Sequence, residues 1–339
     1  MGRIARSPSR NVTSIDVARR AGVSQTTVSL VLSGKGAGRI SAGTAEAVQR
    51  AASELGYRPN AAARALRSGV AATVGLVVAD VTHPFFGLTL RGAHRAAREA
   101  GHVVVLIDDD YGTRGDTAIE TLHSGAIDGF VFFAAEPPAS LRGPGAPPVV
   151  VVESEAYRLP NVRLDVEAGT DAALAHLHEL GHRRIGLLRS EVRGETFDRR
   201  HVRWAEHLRA NGQDPDDQVV VETRFTAKAT MAAAREWLAR RGDTTAVLCD
   251  DDVIAAGMLA AAQVEGVDVP RELSVIGFDD LDLTRLTFPA LTTVATDPEG
   301  LGAAAFELLH ARLQGKRPHN RVLPVGLVVR ASTAPALRK

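Results

Sequence analysis

Four stretches of the sequence gather side chains that could do chemistry. In HLHELGH, residues 176–182, His178 and His182 stand at i and i+4, which puts two imidazoles on one helix face where they could share a metal ion. No third ligand follows nearby, so a structural helix end is the expectation. The triples Asp108–Asp110 and Asp250–Asp252 could attract Mg²⁺, but side chains alternate along an extended chain and three in a row cannot converge on one ion. At least one member of each triple is therefore expected to face solvent. Cys249, the single cysteine, has no histidine close by in sequence to act as its base, and burial at a strand end is expected. The segment GKGAG has the glycines of a phosphate loop without the preceding strand or the following Lys-Ser pair, so it reads as a turn. No catalytic constellation, metal site or cofactor motif is complete, and the chain is expected not to be an enzyme.

Chemistry of another kind is written in DVARRAGVSQTTVSLVLSGK, residues 16–35. Thr13 followed three residues later by Asp16 is a capping box that starts a short helix, which Gly22 ends. Ser24 is a second N-cap, after which Val28, Val31 and Leu32 share one face and must turn inward. Gln25, Thr26, Ser29 and Leu30 are left outside. A third helix starts near Ser41, carries Ala45, Val48, Ala51, Ala52 and Leu55 inward, and stops at Gly56. Three short helices with a glycine turn between the first two make a helix-turn-helix. Short amides and hydroxyls at the start of its second helix can both donate to and accept from base edges in the major groove. Gln25 suits adenine, while Thr13, Ser24 and Thr27 are placed for backbone phosphates beside the positive ends of helices.

Charge supports this partition. The chain of 339 residues is neutral overall, but residues 1–68 hold eleven Lys and Arg against three Asp and Glu, a net of +8, which leaves −8 for the rest. A basic head on an acidic body is the footprint of a protein that brings only one end to phosphates. The start, MGRIARSPSRN, has no apolar run after its charges and does not read as a secretory signal, and no apolar run is long enough to span a bilayer. With one cysteine and no export signal, a cytoplasmic location is expected.

From Thr73 onward, β-branched runs (TVGLVVAD, HVVVLIDD, GFVFF, PVVVVE, RIGLLRS, VVVE, AVLCDD, SVIGFDD, TTVAT) alternate with Ala-rich helical segments such as 88–100, 170–180 and 255–265. Continuous apolar strands alternating with helices predict an α/β body of parallel sheets covered on both faces, and there are enough strands for two lobes. Ligands of such sheets sit outside the carboxyl ends of the strands, where the polar residues of this body gather.

The stretch VTSIDVARRAGVSQTTVSLVLSGKGAGRISAGTAEAVQRAASELGYRPNAAARALRSG resembles the DNA-binding headpiece of the lac-repressor (LacI/GalR) family, and the body resembles that family's core, itself similar to periplasmic sugar-binding proteins. The resemblance implies three parts: a DNA-binding domain over 1–58, a hinge helix over 59–70, and a two-lobed effector and dimerisation core over 71–339. It implies that Asn60 helps start the hinge helix and that Ala63 lies near the minor-groove floor. Arg64 and Arg67 would lie near phosphates, and Leu66 would wedge between base pairs and kink the duplex. It further implies that the chain crosses between lobes three times, near 163, 295 and 320. An effector cleft would then draw on His83, Phe85, Phe86, Asp165, Arg200, Phe225, Asp251 and Asp279. The pattern departs from the family at His83 and Asp251, each where Asn is usual, and at Arg203, where the family has Gly. The extra carboxylate of Asp251 disfavours acidic effectors unless Arg200 or Arg203 compensates. The expected function is sequence-specific control of transcription, as a repressor and homodimer on a near-palindromic operator. The effector is expected to be a sugar or polyol, held by the donor Arg200 and the acceptor Asp279. A nucleobase effector, or activation instead of repression, is the alternative reading. The apolar helix stretch AAGMLAAAQ is a candidate dimer face, and packing against its own sheet explains it almost as well.

Overall fold

The computed structural model describes residues 13–32, 40–55, 57, 73–109, 119, 127–133, 135–143, 145–155 and 158–337. The chain divides between residues 71 and 72 into two compact units.

In the first unit, α1 (Ser14–Ala21) begins with the capping box: Asp16 accepts from the Thr13 N–H at 2.9 Å, and Thr13 Oγ1 accepts from the Asp16 N–H at 3.4 Å. It ends at Gly22, whose φ of 67° is the left-handed conformation that costs glycine nothing. The helix α2 (Gln25–Leu32) is capped by Ser24, whose Oγ accepts from the Thr27 N–H at 3.1 Å. Ser41 does the same for α3 (Ala42–Glu54) through the Thr44 N–H. Val17, Ala18, Val28, Val48, Ala51 and Ala52 form its buried core, joined by Val31, Leu32 and Leu55. The inward face read from the spacing is the one the helices bury.

The second unit has two six-stranded sheets. The first comprises β1 (Thr73–Val78), β2 (Val103–Asp108), β3 (Gly129–Phe133), β4 (Val149–Val152), β5 (Asn161–Leu164) and β11 (Arg321–Leu323), in the order β11-β5-β4-β3-β1-β2. All its pairings are parallel. The second comprises β6 (Ile185–Ser190), β7 (Val220–Thr223), β8 (Ala246–Cys249), β9 (Ser274–Asp279), β10 (Thr292–Ala295) and β12 (Gly326–Val328), in the order β12-β10-β9-β8-β6-β7. Only β12 runs antiparallel there. The β1, β3 and β4 runs are buried on both faces, which is why they read as unbroken apolar stretches.

The chain passes from the first sheet to the second after β5, returns after β10, and leaves again between β11 and β12. These are the three expected crossings. Helices α4 (Pro84–Glu99) and α9 (Pro298–Leu313) pack together on the first sheet, and α5 (Val166–Glu179), α6 (Glu195–Ala210), α7 (Ala227–Arg240) and α8 (Asp252–Glu265) belong to the second.

Four expectations need correcting. The three short strands β5, β11 and β12 have no β-branched run long enough to announce them. Helices α4, α5 and α8 start three or four residues earlier than their apolar periodicity suggested, because His83, Asp165 and Asp251 cap them at or close behind the strand ends. All three of Asp250, Asp251 and Asp252 are buried, so none faces solvent. The chain turns from strand to helix at that point, which sends each carboxylate to its own donors. Finally, Ala255, Met258, Ala261 and Ala262 of AAGMLAAAQ are fully buried within the chain, where α8 packs on α7 and its sheet, so that face is not free to pair with a second copy.

Candidate functional site

On the first unit, Gln25 and Thr26 are exposed at the start of α2, while Ser29 and Leu30 are half-buried. The Gln25 amide donates to Ser14 Oγ at 2.9 Å, so it must leave that hydroxyl to reach a base. Ser24 and Thr27 hydroxyls share a hydrogen bond at 2.9 Å, and the Thr13 hydroxyl donates to Asp16 at 2.7 Å. The hinge residues Asn60, Ala63, Arg64, Leu66 and Arg67, together with GKGAG and Gly56, lie outside the described residues.

In the second unit, the carboxyl ends of both sheets face one cavity with about 670 Å³ of empty space, its open mouth included. Seven of the eight residues expected at an effector site line it: His83, Phe85 and Phe86 at the start of α4, Arg200 on α6, Phe225 beyond β7, Asp251 beyond β8, and Asp279 at the end of β9. Asp165 is not among them. Its carboxylate caps α5 by accepting from the Ala168 N–H at 3.3 Å. Glu153, Phe133, Phe197, Phe278 and Thr196 also line the cavity and were not singled out in the sequence. The polar end of PVVVVE could have pointed to Glu153, and the end of GFVFF to Phe133, since both stand at the carboxyl ends of strands as Asp279 does.

Six phenylalanines form much of the cavity wall. Phe85 and Phe86 meet Phe133 edge to face at 5.6 and 5.1 Å, and Phe225 lies edge-on to His83 at 5.0 Å. Arg200 is buried, with its guanidinium carbon 4.1 Å from the centre of Phe278 and 4.7 Å from that of Phe197. Its Nη1 donates to the Asp250 carbonyl at 2.8 Å, which fixes the fork in place.

The carboxylates divide by role. Asp250 accepts from the Ser190 N–H at 2.8 Å and holds His201 at 2.9 Å, and Asp252 accepts from the Leu281 N–H and the Thr293 hydroxyl. Both tie strands to helices, Asp250 at the cavity wall and Asp252 behind it. Asp279 takes φ 112°, which aims it at the cavity, and burial with the Asp251 and Asp252 charges pushes its carboxyl well above the usual range. Burial and the Asp251 charge do the same to Asp252. Glu153, at φ 61°, accepts from the Leu164 N–H at 2.6 Å, while its Oε2 is buried 3.8 Å from Arg199 without a well-formed hydrogen bond. Burial raises its carboxyl too, against the Leu164 amide, Thr196 and Arg199.

Arg203 does not compensate these charges. It is tied to Asp171 and Glu206 on the outer surface, away from the cavity lining. His182 bonds Thr245 and the Ala334 carbonyl, and His178 lies against His207. Among the described residues, no three His, Cys, Asp or Glu side chains are grouped to hold a metal ion. Cys249 is buried at the end of β8, where burial and the three neighbouring aspartates push its thiol well up, the opposite of what activates a nucleophile.

A helix-turn-helix joined to two parallel-sheet lobes around one cavity defines a ligand-responsive DNA-binding protein. Residues 15–60 match the model of the bacterial regulatory proteins of the lacI family, and residues 174–333 match the periplasmic binding protein-like domain. The HTH-type transcriptional repressor CytR of Escherichia coli (strain K12) is 32% identical over 94% of this chain and 95% of its own. The HTH-type transcriptional regulator MalR of Streptomyces coelicolor is 33% identical over 95% and 96%. Among solved structures, the lac repressor dimer bound to operator and the anti-inducer ONPF matches 96% of this chain and 100% of its own, at 27% identity and a TM-score of 0.84. A CelR–cellobiose complex matches 95% and 100%, at 29% and 0.71. The chain belongs to the lacI family and is a DNA-binding regulator of transcription. These relatives are regulators, not enzymes, and no described helix is long and apolar enough to cross a membrane.

Proposed function

We propose that the chain is a cytoplasmic homodimeric repressor in which residues 1–58 read an operator, 59–70 form the hinge and 71–339 bind an effector and pair the subunits. In the first part, Thr13, Ser24, Gln25, Thr26, Thr27, Ser29 and Leu30 supply DNA contacts, with Asn60, Ala63, Arg64 and Leu66 acting in the hinge. The cavity residues His83, Phe85, Phe86, Arg200, Phe225, Asp251 and Asp279 form the effector site, joined by Glu153. The observation that carries this reading is one aromatic cavity shared by both sheets, with a stacked, buried Arg200 and a cavity-facing Asp279 on it.

A guanidinium that donates and a carboxyl that accepts suit neighbouring hydroxyls on a neutral ring, which supports a sugar or polyol. The cellobiose held by the structural relative CelR is of that class. A second reading rests on the phenylalanines at positions 85, 86, 133, 197, 225 and 278, a wall equally suited to the flat face of a nucleobase. With more carboxyl groups than cations on the wall, acidic and phosphorylated compounds are disfavoured in both readings.

A thermal-shift screen of the purified protein against neutral sugars, polyols, nucleobases and sugar phosphates tests this. A neutral ring compound should raise the melting point by binding the folded form and should change operator affinity. Stabilisation by sugar phosphates alone would overturn the assignment.

A further inference from the structure

His83 belongs to the first lobe and Asp251 to the second, yet they meet across the cavity, Nε2 to Oδ2 at 3.0 Å, both nearly inaccessible to solvent. The hydrogen bonds settle how they meet. The Phe85 N–H points at His83 Nδ1 from 3.3 Å, so that nitrogen offers its lone pair and the ring proton sits on Nε2, aimed at Asp251. The other Asp251 oxygen accepts from the Val253 and Ile254 N–H groups at 2.6 and 3.0 Å. One carboxylate thus stands at the positive ends of two helices, α8 directly and α4 through the imidazole. A second bridge links the lobes elsewhere: Glu195, in the first turn of α6, accepts from the Ser154 hydroxyl and the Glu155 N–H beyond β4, both at 2.7 Å.

We propose that His83 and Asp251 form an interlobe latch, built from the protein's own groups, that favours the closed cleft and withdraws Asp251 from the effector. Of the four carboxyl residues that line the cavity, Asp250 is already held by Ser190 and His201, which leaves Asp279 and Glu153 to face a ligand. The latch builds on the reading of this cavity as the effector site. Closure is measurable without effector or DNA, so the two ideas fail separately.

The test uses His83→Asn, Asp251→Asn and the double variant in the full-length protein without added small molecules. Asn at 83 keeps an acceptor for the Phe85 N–H but is too short to reach Asp251. Asn at 251 keeps a cap for α8 but turns an NH₂ toward the His83 N–H. The readout is hydrogen exchange at the Glu155 amide, whose acceptor Glu195 lies across the cleft and whose bond involves neither substituted residue. Exchange at Leu76 and Leu248, inside the two sheets, marks global unfolding. Each single variant is expected to speed exchange at Glu155 by roughly tenfold, the scale of one hydrogen bond to a charged group, with Leu76 and Leu248 still protected. The double variant is expected to add nothing to either. Unchanged exchange at Glu155 in both single variants, effects that multiply in the double, or acceleration only together with Leu76 and Leu248 would each overturn the latch.

Discussion

Arg200 is held by two phenylalanine rings and a backbone carbonyl, so its position does not wait for a ligand. Arg200→Ala is expected to abolish the effector response while leaving operator affinity within about threefold, because its partners all lie in the second unit. An effector titration that still moved the operator affinity of this variant would remove Arg200 from the site. Asp279 carries the opposite burden. Its carboxyl and that of Asp252 titrate well above the usual range because of burial, then the neighbouring charges. An acid with a raised folded-state pKa stabilises the fold below the ordinary carboxyl range and loses that contribution as pH rises through the raised value. At neutral pH these buried carboxyls therefore cost the fold stability that they do not cost in acid. Asp279→Asn should gain about 1 kcal/mol, or roughly 2–4 °C, at neutral pH with little gain in acid, and should lose effector binding. Melting curves at several pH values check the sign.

Among the elements, α4 and α9 meet backbone to backbone. A methyl group on Gly92 would come within 1.9 Å of the Glu299 carbonyl oxygen, and one on Gly302 within 2.0 Å of that of Thr89. Neither neighbour is a movable side-chain end, so Gly92→Ala should destabilise the body by about 1–3 kcal/mol or more in denaturant unfolding. The crossing matters because α4 delivers His83, Phe85 and Phe86 to the cavity, and α9 starts just after the second crossing between lobes. In the hinge, Leu66→Ala should weaken specific operator binding by about tenfold or more with little change on random DNA, since a wedge acts only at a kinked step. Equal losses on both DNAs would contradict that role.

For the molecule as a whole, pairing needs an apolar face, and the described residues of the body offer a candidate. Leu286 and Phe288 are 85% and 95% exposed, the most exposed large apolar side chains among the described residues. They lie in the loop between β9 and β10, whose first sheet strand carries Asp279. A second copy seated there would couple the cleft to the subunit pairing. Phe288→Asp is expected to yield monomers by analytical ultracentrifugation and to cut operator affinity by about a hundredfold or more, because one headpiece contacts half an operator.

The headpiece was legible residue by residue. A capping box, two serine N-caps, a glycine turn and an i, i+3, i+4 apolar face are local signals, and α1 to α3 obey them because each helix needs only its neighbours to bury that face. The parallel sheets followed from apolar runs alternating with helices and the three crossings from the family resemblance, but β5, β11 and β12 followed from neither, since strands of three or four residues borrow their order from the sheet they join. Sequence by itself determined the class of protein, through composition, caps and periodicity that act within a few positions along the chain, and through family resemblance it named seven of the residues around the cavity. Only the tertiary structure decided what those residues do to one another. It buried all three of Asp250–Asp252, sent Arg203 outward and Asp165 to a helix cap, and added Glu153. It also made the two departures at His83 and Asp251, 168 positions apart, each other's partners. Hydrogen bonding and charge act through space at about 3 Å, a distance that separation along the chain does not reveal.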